Sequence, residues 1–140
     1  MRWSDVNACG MVGDAALASC VDEARAAFCL RLADLSAAPS GRRWSDYALL
    51  TTRQHIDFLH PLRWRSEPVE VSLQVLRVRP AVTELLAEVT DAVRTYASAR
   101  VTSVFWDVRR SRPYLLTPAQ HRLLAEHALP GAPAPPRRTC

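Results

Sequence analysis

The stretch that decides the fold of this chain is Trp3–Leu17, WSDVNACGMVGDAAL. Its first half carries Asp5, Asn7 and a glycine, a composition typical of a turn-rich loop. Its second half begins a helix, because Gly13 and Asp14 stand where a helix cap and an N-terminal carboxylate are favourable. The stretch therefore predicts a polar loop that leads directly into the N-terminus of a helix.

A long amphipathic helix is predicted from Gly13 to Ala33. Within that range the apolar residues recur at helical spacing: Leu17, Cys20, Val21, Ala24, Phe28 and Leu32. Charged residues fill the positions between them, which is the pattern of a helix with one buried face. The helix is expected to stop before the Pro-, Gly- and Ser-rich segment 36–41.

Four strands and a short helix are predicted after this segment. The strand candidates are rich in β-branched residues and alternate in polarity; they are 47–58, 69–78, 82–93 and 96–108. The third candidate is also compatible with a helix, because it contains alanines and glutamates. Thr117 and Pro118 are typical of the first residues of a helix. The order predicts an α+β fold in which an antiparallel sheet wraps around the long helix.

Composition limits the class of protein. The 140 residues, 49% of them hydrophobic, fit one domain, which we place at residues 1–128, with a proline-rich tail at 129–140 that we expect to be disordered. No apolar run approaches the roughly 20 residues of a membrane span, and no signal peptide is recognisable, so a cytoplasmic protein is expected. All 18 basic residues are arginines, which excludes a Schiff-base or P-loop lysine.

The cysteines and the charge predict neither a metal site nor nucleic-acid binding. Cys9, Cys20, Cys29 and Cys140 form no CxxC pair, so we expect free, mostly buried thiols and no zinc. The net charge of +4 suits a polyphosphate-bearing small ligand as well as nucleic acid. The strands lack exposed aromatics interleaved with basic residues, so we expect no nucleic acid partner.

Four motifs occur in an order that resembles a known family. They read RWSDVNACGMVGDAAL, DEARAAF, HIDFLHPLRWRSEPVEV and YASARVTSVFWDVRRSRPYLLTP. Together they resemble the hotdog-fold acyl-CoA thioesterases of the 4-hydroxybenzoyl-CoA thioesterase-like branch. That resemblance implies a hotdog fold, a homodimer or homotetramer with sites at the subunit interface, and hydrolysis of a thioester. The acyl group would be carried on coenzyme A or an acyl-carrier protein, so coenzyme A is part of the substrate and no cofactor is expected.

The resemblance also implies which residues form the site, and here the chain departs from the family. The family's nucleophilic or basic aspartate corresponds to Asn7, and its histidine to Met11, whereas Asp5 and Gly10 match. An amide cannot accept a proton as a carboxylate does. The family binds the thioester oxygen at the helix start, which implies substrate-binding residues at Gly10, Met11, Val12 and Gly13 and amides around Gly13 and Asp14.

A related group of thioesterases, which release polyene chains from enediyne polyketide synthases, also lacks the carboxylate. They place an asparagine in the loop and an arginine eighteen residues later, the spacing of Asn7 and Arg25. The resemblance implies that Arg25 positions the thioester or stabilises negative charge, while Asn7 holds water or the carbonyl. Arg25 could equally be structural. Candidate replacement carboxylates are Asp5, Asp14 and Glu23, each with a structural alternative.

Arginines in turns beside the strands are candidates for the phosphates of coenzyme A. They are Arg63 and Arg65, with Arg109, Arg110 and Arg112 further along the chain. The alternative for each is solvated surface charge. His55 is expected to be a packed or interface histidine. The alternative function is a hotdog dimer that has lost catalysis and binds an acyl chain or serves a structural role.

Overall fold

The first helix, α1, spans Asp14–Leu35 and contains 22 residues. In this computed structural model, which describes residues 5–35 and 43–126, the helix begins after Gly13. The Gly13 carbonyl accepts hydrogen bonds from the N–H groups of Ala16 at 3.0 Å and Leu17 at 3.2 Å, as the residue before a helix does. The predicted helix is therefore confirmed, and it extends two residues beyond Ala33.

An antiparallel sheet packs against α1. Its strands are β1 (Tyr47–Phe58), β2 (Glu70–Val78), β3 (Val82–Thr90), β4 (Thr95–Asp107) and β5 (Arg112–Pro113). The order across the sheet is β1-β4-β3-β2, and β5 pairs with the end of β4. A turn of 3-10 helix (Trp44–Asp46) precedes β1, and the second α-helix, α2 (Pro118–Glu126), follows β5. The α+β prediction is confirmed.

The third predicted segment is a strand, and its helical alternative is wrong. It ends at Thr90 instead of residue 93, because Asp91 forms a tight turn. The Asp91 Oδ1 accepts hydrogen bonds from the N–H groups of Val93 at 2.7 Å and Arg94 at 2.8 Å. Such a side-chain to backbone turn is a common use of aspartate between strands.

The start of α2 is fixed by a reciprocal cap between Thr117 and Gln120. The Gln120 N–H donates to Thr117 Oγ1 at 3.3 Å, and the Thr117 N–H donates to Gln120 Oε1 at 3.0 Å. This is the capping-box arrangement, and it confirms the helix start expected at Thr117 and Pro118.

The core lies between α1 and one face of the sheet, where every second residue of β3 and β4 is buried. It divides into two clusters. One contains Leu17 and Val21 of α1 with residues such as Ala99; the other contains Leu32 of α1 with Leu49, Phe105 and Leu124. On the helix, Arg25 lies between the two clusters, so a cation occupies a core-facing position.

The sheet has an edge at β1. Among the described residues, β1 pairs with β4 on one side only, so the backbone groups on its other side are available for pairing. No helix in the described part of the chain combines the length and hydropathy of a membrane span. The predicted tail, residues 129–140, lies outside the described residues.

Candidate active site

The loop before α1 is closed by its own backbone. The Asn7 N–H donates to the Met11 carbonyl at 2.8 Å, and the Gly10 N–H donates to the Asn7 carbonyl at 2.9 Å. Gly10 has a φ of 74°, a left-handed conformation that glycine adopts without steric cost. The glycine in this motif is therefore required by the shape of the loop.

The Asn7 side chain is fixed by the same loop. Its Oδ1 accepts hydrogen bonds from the N–H groups of Cys9 at 2.9 Å and Met11 at 3.1 Å. Two N–H donors identify this atom as the oxygen, so the other terminal atom is the Nδ2 amide, which only donates hydrogen bonds. Asn7 therefore presents a donor at the position where the resemblance implies a carboxylate in the family.

The segment after β1 holds this loop in place. The Val12 N–H donates to the Leu62 carbonyl at 2.8 Å, and the Trp64 N–H donates to the Gly10 carbonyl at 3.0 Å. Met11 and Arg63 pair as an isolated β-bridge. A cavity of about 450 Å³ lies at this junction and is lined by Val6, Asn7, Ala8, Gly10 and Trp64.

The N-terminus of α1 follows directly. The Gly13 N–H donates to the Asp5 carbonyl at 2.8 Å, so this amide is already occupied. Within residues 5–35 and 43–126, the N–H groups of Asp14 and Ala15 meet no backbone acceptor and remain the open donors of the first turn. Of the two amides expected to bind the thioester oxygen, that of Asp14 is the one left for a ligand.

The other predicted residues of the loop have different surroundings. Val12 is only 6% exposed and packs in the core with Leu17 and Leu62, which makes it a core residue in this chain. Neither Asp5 nor Asp14 lines the Asn7 cavity, and the Asp14 side chain is exposed. As a result the cavity contains no carboxylate from the described residues.

Arg25 lies about 16 Å along the helix axis from Asp14, at 1.5 Å per residue. Its Nη1 donates to the Leu49 carbonyl of β1, and its Nε lies 3.5 Å from Asp22 Oδ1. The side chain is 18% exposed, and Nε is buried without a hydrogen-bond partner among the described residues. Within one chain, the structure does not bring Arg25 to Asn7.

Arg65 belongs to a partly buried cluster with Asp91 and Tyr96. Arg65 Nη2 lies 2.8 Å from Asp91 Oδ2, the Tyr96 hydroxyl donates to the same carboxylate, and the guanidinium lies over the Tyr96 ring at 5.7 Å. The hydrogen bonds from Tyr96 and from the turn amides hold the pKa of Asp91 well below its ordinary value. Arg65 is therefore engaged in structure, whereas the Arg63 side chain is exposed.

The remaining candidates lie elsewhere. Arg109 forms an ion pair with Asp46 at 2.8 Å, Arg110 lies 4.0 Å from Asp107, and Arg112 is exposed on β5. His55 pairs with Asp57 at 3.2 Å on β1, where its side chain is 75% exposed, so the expectation of a packed histidine does not hold within one chain.

Cysteines and metals add little to this site. Cys9, Cys20 and Cys29 are free; Cys9 is exposed and the other two are half-buried. Burial raises the pKa of the Cys20 and Cys29 thiols. In the described part of the chain, no group of three or more His, Cys, Asp or Glu side chains is arranged to hold a metal ion.

Sequence reasoning missed the contribution of Trp64. This residue lines the Asn7 cavity and also a second cavity of about 710 Å³ beside α1. The available signal in the sequence was an aromatic residue between two arginines in a turn. In the structure, Trp64 is 49% exposed. Its position depends on the hydrogen bond to Gly10, which is distant along the chain and cannot be read from local pattern.

Comparison with known proteins gives the same fold. A predicted thioesterase from Bacillus stearothermophilus is 17% identical with a TM-score of 0.75, covering 94% of each chain. A gentisyl-coenzyme A thioesterase is 17% identical with a TM-score of 0.68, covering 89% of this chain and 94% of that one. A thioesterase from Thermus thermophilus, solved with coenzyme A and zinc, is 20% identical with a TM-score of 0.69, covering 89% and 91%.

These likenesses confirm the hotdog fold that the motifs implied, a long helix packed against an antiparallel sheet. No curated protein gives a significant match. The family model of the thioesterase-like superfamily matches residues 1–135, which is nearly the whole chain. The chain therefore belongs to the thioesterase-like superfamily.

Proposed function

We propose that this protein hydrolyses the thioester bond of an acyl-coenzyme A or an acyl-carrier protein. The thioester carbonyl would lie at the edge of the Asn7 cavity, between the Asn7 Nδ2 amide and the open N–H groups of the first turn of α1, which follow the loop outside the cavity lining. The observation that carries this proposal is the fixed orientation of Asn7, whose Oδ1 is held by two backbone N–H groups.

Such an arrangement stabilises the charge that develops during hydrolysis. When water attacks, the carbonyl oxygen gains negative charge, and donors fixed in advance lower the energy of that state. The positive end of the α1 dipole adds to this effect. Asn7 is better suited to hold the carbonyl than to hold a nucleophilic water. Its Oδ1 already accepts two backbone N–H groups, and a hydrogen bond from Nδ2 would occupy the oxygen lone pair with which the water attacks.

The reaction balances without a protein nucleophile. The water oxygen forms a bond to the carbonyl carbon, the carbon–sulfur bond breaks, and the sulfur leaves as a thiol that carries one proton of the water. The acid product keeps the other proton or releases it to solvent. Since the cavity lacks a carboxylate among its described lining residues, rate enhancement would come mainly from oxyanion stabilisation and orientation.

Arg25 would enter the site from the partner subunit. The free edge of β1 suits antiparallel pairing with β1 of a second copy, which gives a two-fold homodimer, the unit of any homotetramer. In such a pair, the end of one β1 lies beside the start of the other. The segment from Phe58 to Trp64 is hydrogen-bonded to the Asn7 loop. In such a dimer this segment would approach Leu49 and Arg25 of the other subunit.

The exposed Arg63 is placed to meet the phosphates of coenzyme A, because it pairs with the Asn7 loop through its backbone and its side chain is free to reach solvent. Arg65 is a weaker candidate, since Asp91 already occupies it. The proposal places the reaction in the cytoplasm, where free thiols such as Cys9 remain reduced. Coenzyme A enters as part of the substrate, and no cofactor is invoked.

The test is hydrolysis of a panel of acyl-coenzyme A thioesters by the wild type and by Asn7→Ala. The matched control is Cys9→Ala, a neighbouring exposed side chain outside the cavity lining. We expect turnover that Asn7→Ala reduces by about 10²-fold or more, the cost of one oxyanion donor. Hydrolysis by the wild type no faster than in buffer, for every acyl group and for acyl-carrier protein, would overturn the proposal.

A second candidate function is acyl binding without catalysis. The observation in its favour is the absence of a carboxylate among the described residues that line the Asn7 cavity. If the wild type is inactive and Asn7→Asp creates hydrolysis, the chain is a binding or structural dimer that retains the fold of a thioesterase.

A further inference from the structure

A groove of about 710 Å³ runs between α1 and the segment that leads into β2. We call it the α1 groove. It is lined by Cys20, Glu23, Ala24, Ala27, Trp64, Arg65, Ser66, Glu67, Pro68, Val69 and Val71. Trp64 also lines the Asn7 cavity, so the two cavities share one lining residue.

The apolar part of the α1 groove lining suits a hydrocarbon. From α1 come the small side chains of Ala24 and Ala27 and the thiol of Cys20, whose pKa burial raises, so that the thiol stays neutral. From the facing segment come Val69 and Val71, which are half-buried against the core. Small and branched apolar side chains that line a cavity are typical of a binding site for an apolar ligand.

The charges around the groove are acidic. Glu23 and Glu67 are both exposed lining residues. Arg65, the cation among the described lining residues, is paired with Asp91 at 2.8 Å and is not available to offset them. An anionic group placed in the groove would therefore be repelled, which argues against the phosphates of coenzyme A and against a chain that ends in a carboxylate.

The groove also starts at the right place along the helix. Cys20 follows Asp14 by six residues, about 9 Å along the axis at 1.5 Å per residue. An acyl chain that extends from a carbonyl at the helix N-terminus along α1 would reach the groove beside Trp64, which lines both cavities. We propose, on the basis of the proposed hydrolysis, that the α1 groove binds the acyl chain and selects uncharged chains over chains that end in a carboxylate.

The first test fills the groove. Ala27→Phe places a ring in it, while Ala26→Phe, one residue earlier and outside the lining, is the matched control. Both positions are exposed, so both variants should fold, which thermal melting checks. We expect Ala27→Phe to lower kcat/KM for octanoyl-coenzyme A, relative to kcat/KM for acetyl-coenzyme A, by about 10-fold or more. This is the loss expected when two methylenes of the acyl chain are no longer buried. An unchanged ratio would overturn the proposal.

The second test removes the charge. In Glu23→Gln combined with Glu67→Gln, kcat/KM for suberyl-coenzyme A, an eight-carbon chain ending in a carboxylate, should rise about 3- to 10-fold relative to octanoyl-coenzyme A. Glu70→Gln, an exposed carboxylate outside the lining, should leave that ratio unchanged. If the double variant also leaves it unchanged, the selection by charge is wrong.

A binding measurement separates this proposal from the proposed function. Decan-1-ol and decanoate carry the chain without a thioester, and their binding is followed by tryptophan fluorescence. Tighter binding of the alcohol, lost in Ala27→Phe and kept in Ala26→Phe, supports the groove even if no thioester is hydrolysed. Hydrolysis that proceeds while neither ligand binds and the chain-length ratio is unaffected by Ala27→Phe overturns the groove and leaves the proposed function intact.

Discussion

The side-chain oxygen of Asn7 accepts the backbone N–H of Met11 at 3.1 Å, so the loop decides which end of the amide is left for a ligand. An aspartate at this position could keep the same acceptor and present a second oxygen in place of the N–H donor. An aspartate in place of Asn7 would therefore change the chemistry of one atom and keep the acceptor that the loop uses.

We predict that Asn7→Asp retains the fold and changes the pH dependence of hydrolysis. The wild-type rate should rise with hydroxide concentration, because no carboxylate base is available in the described cavity lining. The variant should gain an inflection near the pKa of a carboxyl group, as a general base ionises. The measurement is kcat/KM between about pH 4 and 9. A wild-type profile that already shows a carboxylate inflection would point to a base outside the Asn7 cavity.

Arg25 is predicted to contribute to activity more than to stability. Arg25→Met keeps the length and apolar stem at a core-facing position and removes a guanidinium whose Nε has no hydrogen-bond partner among the described residues, at the cost of the hydrogen bond to the Leu49 carbonyl. The free energy of unfolding should fall by no more than about 1–2 kcal/mol, while kcat/KM falls by about 10²-fold. Full activity with a lowered melting temperature would make Arg25 a structural residue.

We predict that Asn7 and Arg25 act across the subunit interface. Two inactive variants, Asn7→Ala and Arg25→Met, should regain activity when they are mixed under conditions that exchange subunits. Mixed dimers carry one intact site of two, so roughly a quarter of wild-type activity is expected at equal amounts. The control is a mixture of the wild type with the double variant, in which Asn7→Ala and Arg25→Met are on the same subunit. If mixing restores nothing although exchange is demonstrated, the site does not combine the two residues from different subunits.

The two glycines of the loop should respond differently to alanine. Gly10 has positive φ, so Gly10→Ala should lower the free energy of unfolding by about 1–2 kcal/mol, although its Cβ meets no atom within 4 Å. A Cβ added at Gly13 would lie 3.6 Å from the Asp5 carbonyl oxygen, which is an ordinary contact. Gly13→Ala should therefore change the free energy of unfolding by less than about 0.5 kcal/mol. Denaturant unfolding measures both free energies. Equal losses in the two variants would contradict a positive φ at Gly10 and an ordinary backbone conformation at Gly13.

Acid should remove the contribution of the Asp91 cluster to stability. Because the folded protein lowers the pKa of Asp91, the stabilisation is present above the ordinary carboxyl value of 3.8 and is lost as pH falls below it. In Asp91→Asn this stabilisation by the ionised carboxylate is absent at every pH. The difference in free energy of unfolding between wild type and Asp91→Asn should therefore be largest near neutral pH and shrink towards about pH 2–3.

The control for this prediction is Glu70→Gln, at an exposed position. Its difference from wild type should be small at both pH values. A difference for Asp91→Asn that does not change with pH would show that the Asp91 carboxylate is not preferentially stabilised in its charged form.

Local pattern was sufficient for most of the fold. The helical spacing of Leu17, Val21 and Leu32 predicted α1, because that period leaves one face to be buried, and alternation predicted the strands. The end of β3 was misplaced by three residues, since the apolar Val93 resembles a strand residue while the Asp91 side chain closes the turn. The two-residue strand β5 is too short to give a periodic signal.

What the sequence by itself determined was the family, the loop and helix start, and the presence of an amide at residue 7, because these depend on residue type and on spacing within one short stretch. Only the tertiary structure decided how those residues are used. Contacts between residues that are distant along the chain join Trp64 to Gly10, pair Arg65 with Asp91 and direct Arg25 to the Leu49 carbonyl, and a contact within the folded loop occupies the Gly13 amide with the Asp5 carbonyl. A hydrogen-bonding group serves a ligand only when the fold has left it unpaired, and pairing is a property of three-dimensional neighbours.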